Sequence, residues 1–397
     1  MNNKLLLPLL LFTIIGCSEG FNVEFSFGDS KSESSNLEID NAFASTYAPM
    51  NSEPMLFKSA NIYDGLGGEF RNYDLLLSEG KIIEIGESIT APGVMVIDAT
   101  DKWITPGIID IHSHMGVYSA PGVSTSSDGN EATSPVTAEV WAEHSLWTQD
   151  PQFALALKGG VTAFHVLPGS ANLFGGRGAT FKNVSQNTVQ AMKFPGAPHS
   201  LKMACGENPK RVYGNRRQAP STRMGNMAGY RTAWIEAAEY TDGMNEKDSD
   251  RRPTRDLAMD TLMGVLNGEI LIQNHCYRAE EMAMMIELSK EFGNTLYIYR
   301  LPGIFGKWCK PNYNSVVATF CHKMARGEPI QISSPEREIK LVYIDDVISS
   351  FIETLQSSSP EGSFFNKTFS QTKVSILYQK KLCMHNKFNQ KNQSNFS

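Results

Sequence analysis

Residues 107–116 read GIIDIHSHMG, a strand-length apolar run that ends in two histidines two positions apart. Alternate residues of a strand share a face, so His112 and His114 point one way while Ser113 points the other. The segments that follow repeat one pattern. PQFALALKGG reads as a helix with a glycine stop, VTAFHVLPG as a buried strand and TRMGNMAGYRTAWIEAAEYT as a long helix. GEILIQNHCY then reads as a strand and AEEMAMMIELSKEFG as the helix behind it. Such alternation predicts parallel strands covered by helices, with chemistry at the C-terminal ends of the strands. His112 and His114 fall at such an end.

The flanks have a different texture. From Met55 the runs MLFKSANIYDG, YDLLLSEGKIIEIGES and VMVIDATDKWITPG are short and β-rich, with SEGK as a tight turn, and predict a small β-sandwich unit over residues 55–108. Residues 18–54 are rich in Ser, Asn and acidic residues and read as a flexible linker. The N-terminus carries one lysine and an apolar run from Leu5 to Ile15, too short for the about 20 residues of a bilayer span but suited to a secretory signal. IIGC at Ile14 to Cys17 resembles a bacterial lipobox, which implies cleavage at residue 17, a lipid anchor on Cys17 and a periplasmic or outer-membrane-anchored protein; a plain signal peptide with a chance cysteine is the alternative. The net charge of -6 leaves no basic footprint for nucleic acid, so a small-molecule substrate is the expected partner. The remaining cysteines, Cys205, Cys276, Cys309, Cys321 and Cys383, are scattered without a CxxC and read as mostly buried free thiols.

Neutral imidazole suits zinc and its neighbours, and a site with open positions activates water without a serine or cysteine nucleophile. A bare HxH pair also fits two packed or surface histidines. Its context decides more. ITPGIIDIHSHMG behind the small β unit, then LPGSANLFGGRGATFKN, MKFPGAPHSLKMACGENPKRVYG, APSTRMGNMAGYRTAWIEAAEY and HCYRAEEM, together resemble the amidohydrolase superfamily, in particular its imidazolonepropionase-like members. The resemblance spans residues 55–293 and implies a (β/α)8 TIM-like barrel whose first strand delivers HxH behind an aspartate, here Asp110. It implies one or two divalent ions, zinc first, bridged by a carboxylated lysine or a glutamate from a middle strand. Lys202 and Glu207 are the two candidates in LKMACGENPK, and both stay open. His275 in LIQNHCYRAEEM matches the fifth-strand histidine. Arg278 at the start of the next helix is a candidate for a substrate carboxylate, with a local ion pair to Glu280 or Glu281 as the alternative. His165 is a spare pocket residue or a packed one. Gly175, Gly176 and Gly178 read as loop geometry near the site.

After Gly293 the expected sixth-strand histidine and eighth-strand catalytic aspartate do not arrive, so no catalytic residue is assigned. Instead YIYRLPGIFGKWCKPNYNSVVATFCHKMARGEPIQI and LVYIDDVISSFI resemble the substrate-side part of extended short-chain dehydrogenase/reductase proteins, the nucleotide-sugar epimerases and reductases of capsular polysaccharide synthesis. The glycine-rich dinucleotide turn and YxxxK pair of those enzymes are absent from the chain. Residues 359–397, rich in Asn, Gln, Lys and Ser with no acidic residue after Glu361, read as a disordered tail.

The expected architecture is therefore α/β: a β-sandwich portion (55–108), an incomplete barrel (109–293) and an appended epimerase-like α/β fragment (294–358), joined as a hybrid reading frame. The expected activity is metal-dependent hydrolysis of a carbon–nitrogen bond other than a peptide bond, in cyclic amides or related small compounds. A catalytically inactive chimera and an epimerase/reductase remnant are the alternatives.

Overall fold

The computed structural model describes residues 42–65, 68–293, 296–306, 309–313, 315–331, 338–356, 364–368 and 372–375. The signal-like N-terminus, Cys17, most of the linker and Cys383 lie outside the described residues. Among the described residues no helix is long and apolar enough to cross a membrane.

Five strands build the first unit: β1 (Met55–Tyr63), β2 (Glu69–Ser78), β3 (Lys81–Gly86), β4 (Met95–Asp98) and β5 (Trp103–Ile104). β1 is central, antiparallel to β2 and parallel to β4 and β5. The β2–β3 turn is made by Glu79 and Gly80, both at positive φ (53° and 71°), the two-residue geometry that matches strand twist. Ala60, Ile62, Leu75 and Ala99 close its core. Beneath them the buried Asp74 accepts hydrogen bonds from Lys58 Nζ (2.6 Å) and from the backbone N–H groups of Ser59 (3.0 Å) and Ile89 (2.9 Å). Burial pushes its pKa up, but these donors outweigh that and hold the carboxyl below its ordinary value. The described residues form one sheet here, where the sequence reading expected two packed layers.

The second sheet has the order β10-β9-β8-β7-β6, with β6 at Ile108–Ser113, β7 at Val161–Val166, β8 at Phe174–Lys182, β9 at Ser200–Ala204 and β10 at Leu271–His275. β6 and β7 pair in parallel, as do β9 and β10. β8 runs antiparallel to both of its neighbours, which corrects the all-parallel expectation. It also corrects the reading of Gly175, Gly176 and Gly178, which lie inside β8 and not in a loop. The β8–β9 register shifts between Phe174 and Gly176. There Gly176 takes a φ of 106°, and a Cβ on it would meet Val140 O at 2.3 Å. A glycine run therefore marks the place where a strand bulges under a crossing segment.

Helices cover the sheet, three of them (Pro151–Lys158, Arg223–Met244 and Ala279–Glu291) where the 3.6-residue period predicts them and three more that the sequence reading did not single out. α1 (Pro151–Lys158) is capped by Asp150, whose side chain accepts from Gln152 N, with proline at its first position. Next come a short α2 (Val189–Met192), α3 (Glu207–Asn215) and α4 (Arg223–Met244). α4 buries one stripe, Asn226, Tyr230, Ala233, Trp234, Ala237, Tyr240 and Met244. α5 (Leu257–Leu266) and α6 (Ala279–Glu291) follow, and Leu262, Val265 and Leu288 join the α4 stripe against Leu201 and Met203 of β9.

The sheet has two open edges. Among the described residues β6 pairs only with β7 and β10 only with β9, and Ile109, Ile111, Leu271 and Ile272 are exposed there. The C-terminal segment forms separate small sheets. β11 (Leu296–Arg300) pairs with β14 (Phe364–Thr368), and β12 (Gly303–Phe305), β13 (Glu338–Tyr343) and β15 (Thr372–Ser375) form a three-stranded sheet. α7 (Val316–Ala325) and α8 (Ile344–Gln356) accompany them. Within the segment read as a disordered tail, β14 pairs in parallel with β11 and β15 antiparallel with β13.

Candidate metal centre

β6 ends at Ser113, whose side chain is buried behind the sheet, and so turns Asp110, His112 and, one step past the strand, His114 to the other side. The two imidazoles meet edge to face with centroids 5.2 Å apart. His114 Nδ1 donates to Leu167 O at 2.8 Å, which leaves Nε2 as its basic nitrogen. The His112 backbone N–H donates to Asp110 Oδ1 at 3.2 Å.

Lys202 enters from the middle of β9. It is 1% exposed, and its Nζ lies 3.3 Å from His112 Nε2. Burial alone lowers its ammonium to about 8. In the β9–β10 register Lys202 faces Gln273 and Ala204 faces His275, so His275 stands on the same side of the sheet one alternate position further along. His275 Nδ1 and Ser170 Oγ share a hydrogen bond of 2.7 Å. Burial first, and then the charge of Lys202, lower the pKa values of His112 and His275. In His114 burial also dominates and Lys202 adds to it, against the bond to Leu167 O. The site is thus three imidazoles held neutral around one buried amine, with Asp110 as the nearby carboxylate.

The other sequence candidates fall elsewhere. Glu207 is exposed at the first position of α3. Arg278 is exposed and pairs with Glu280, the local ion pair named as its alternative. His165 is buried, with Nδ1 bonded to Thr180 Oγ1 (2.8 Å) and Nε2 to Ser200 Oγ (2.6 Å), so both ring nitrogens are taken up within the sheet. Among the described residues no three His, Cys, Asp or Glu side chains are grouped closely enough to hold an ion.

Three features were missed in the sequence. Cys205 and Cys276 form a disulfide and Cys321 is also disulfide-bonded, which corrects the free-thiol reading; Cys309 is free. A buried Glu143 pairs with Lys193 Nζ at 2.6 Å, with His144 and His199 Nε2 each 3.9 Å from its carboxylate. A cavity of about 400 Å³ lies between the 127–131 and 139–145 segments, lined by Asp128, Glu131, Glu139, Trp141, His144 and Pro168 among others, and by none of the three site histidines. Each joins residues far apart in the chain. The weak signal available was the position of Cys205 and Cys276, each directly after a strand-like run.

No protein-family model matches the chain. A solved amidohydrolase from Thermotoga maritima MSB8 is similar to it at 33% identity and a TM-score of 0.57, covering 71% of this chain and 70% of that one. The amidohydrolase tasK of Hapsidospora irregularis is 32% identical over 251 residues, which is 57% of this chain and 26% of tasK. A UDP-2-acetamido-2,6-beta-L-arabino-hexul-4-ose reductase of Pseudomonas aeruginosa is 51% identical over 78 residues, 20% of this chain and 21% of the reductase. The chain thus spans about a quarter of the length of the first of these curated relatives and a fifth of the second.

Proposed function

We propose that this chain, which belongs to the amidohydrolase superfamily over most of its length and carries a shorter segment related to a sugar-nucleotide reductase, is built for metal-dependent hydrolysis of a carbon–nitrogen bond other than a peptide bond. The substrate class is a cyclic amide or a related small amidated compound. The observation that carries the reading is the approach of the buried Lys202 Nζ to His112 Nε2 at 3.3 Å. An apolar core gains nothing from an interior ammonium, so its placement against a histidine of the HxH pair points to chemistry.

The donors fit a zinc-like ion in kind: three neutral imidazole nitrogens, two of them with Nδ1 already bonded to protein groups. No three of these side chains are drawn closely enough together to hold an ion among the described residues; by donor chemistry, His112, His114 and His275 are the groups that would hold one, and Lys202 would join them as its carbamate. That form arises when the unprotonated amine adds to carbon dioxide, making an N–C bond and releasing one proton. It replaces a cation that repels a metal with an anion that binds it. The bound ion supplies Lewis acidity toward the carbonyl oxygen and toward water. Leu167 O fixes the His114 tautomer, and Asp110 holds the turn of backbone at His112.

A second reading, a chain that binds metal without turnover, is favoured by one observation: β10 is the last strand of its sheet among the described residues, so no later strand brings a proton-transferring carboxylate to the site. Export with a lipid anchor at Cys17 is part of the proposal, and the Cys205–Cys276 disulfide supports an oxidising compartment.

The test is metal content by elemental analysis in the full chain and in His112→Ala, alongside hydrolysis of a panel of small cyclic amides. The reading expects metal in the parent and its loss in the variant. Unchanged stoichiometry in His112→Ala rejects the assignment, and metal without hydrolysis selects the second reading.

A further inference from the structure

We infer that the Cys205–Cys276 disulfide is a positioning link, which holds His275 in place on a strand that has no outer strand neighbour among the described residues. The inference rests on the metal-site reading above.

β10 has one strand neighbour among the described residues, and its ladder to β9 runs from the Leu271 and Ser200 pair to the His275 and Ala204 pair. His275 is therefore the last residue of an edge strand of this sheet. A strand end paired on one side frays more readily than an interior one, because its outer backbone groups bond to water and no neighbouring strand opposes its departure. Leu271, 55% exposed, shows how open that outer side is.

Cys205 and Cys276 are the next pair in register, one step past Ala204 and His275. Their Cα atoms are 5.1 Å apart, and Cys205 N donates to His275 O at 2.8 Å. The covalent bond thus continues the ladder where strand pairing stops. By the two-residue period it lies on the opposite face from Lys202 and His275. Cys205 is 3% exposed, in the core with Tyr230 and Leu288, and Cys276 packs against the same cluster. The link closes a loop of sequence separation 71 and ties the two site-bearing strands together from behind, without entering the site.

Opening the link takes two electrons and two protons. With a trialkylphosphine and one water, the sulfur–sulfur bond becomes two thiols and the phosphine becomes its oxide. In an oxidising compartment the link stays closed.

The experiment measures Zn²⁺ affinity of the full chain by competition with a chromophoric chelator. It compares the parent, Cys205→Ala with Cys276→Ala, His275→Ala, and the triple variant. A removed group that supports a metal ligand from outside the ligand set typically costs 10- to 100-fold in affinity. The alanine pair is expected to bind Zn²⁺ about 10-fold more weakly while keeping its circular dichroism, and to cause no further loss in the His275→Ala background. That non-additivity separates positioning from general loosening, which would weaken binding equally in both backgrounds. Unchanged affinity in the alanine pair, or an equal loss with and without His275, overturns the inference and leaves the metal site standing. No Zn²⁺ binding by the oxidised parent overturns the metal-site reading and the inference with it. Should the alanine pair fail to fold, Cys205→Val with Cys276→Ala refills the core volume and carries the same comparison.

Discussion

Lys202 Nζ reaches to 3.3 Å from His112 Nε2 across a sequence separation of 90, from a position 1% exposed to solvent. A charge so placed is costly to the fold, and its removal should show that cost. Lys202→Met keeps the unbranched shape one atom shorter and removes the ammonium, so the metal-free chain is expected to gain about 1 to 3 kcal/mol of stability while losing metal capacity. Urea unfolding with metal analysis on the same samples checks both halves. A less stable Lys202→Met chain would show that the amine stabilises the fold and is no functional expense.

The buried His165, bonded to Thr180 and Ser200, predicts an acid-sensitive fold. Burial leads, with His199 and His112 adding to it, in lowering its pKa from 6.5 to about 4. The folded chain then binds fewer protons than the unfolded chain between those values, so stability rises with pH across that window. The contribution is complete above pH 6.5 and is lost as pH falls toward about 4, on the order of 3 kcal/mol in all. His165→Gln, which keeps a donor and an acceptor but cannot titrate, should flatten this part of the curve; an unchanged slope in denaturation between pH 4 and 6.5 would contradict the assignment.

The open edges predict poor solubility. Ile111 on β6 is 72% exposed and Ile272 on β10 lies bare at the other edge. Unpaired strand edges with apolar side chains template association between chains. Ile111→Lys combined with Ile272→Lys is expected to raise the soluble, monodisperse fraction in light scattering without altering circular dichroism. No gain would mean that the edges are covered in solution.

The Asp74 carboxylate predicts a local weak point in the first sheet. Asp74→Ala leaves Lys58 and the backbone N–H groups of Ser59 and Ile89 without their acceptor, at a cost of about 2 to 4 kcal/mol. Its folded pKa lies below the ordinary 3.8, so its stabilisation is present above that value and fades as pH falls through the lower folded one. Thermal unfolding of the parent and variant at pH 7 and pH 3 should differ most at pH 7.

Where the sequence reading went astray, the reasons are specific. GGRG looked like a loop because glycines usually interrupt strands, yet in β8 the missing side chains are what allow a strand to pass beneath Val140. The cysteines looked free because their spacing matched no known framework. Lys202 and Glu207, five positions apart, were indistinguishable on paper, and strand β9 buries the first while the turn into α3 exposes the second.

By itself the sequence determined the periodicities, and through them strands β6, β7 and β10 with helices α1, α4 and α6, the shared face of His112 and His114, and the change of character after Gly293. These are local properties, set by backbone geometry within a few residues. Tertiary structure alone decided the direction of β8, the pairing of Cys205 with Cys276, the burial of Lys202 and its approach to His112. Each of these depends on which distant segments share the interior, and solvent exclusion there acts on spatial neighbours without regard to their separation along the chain.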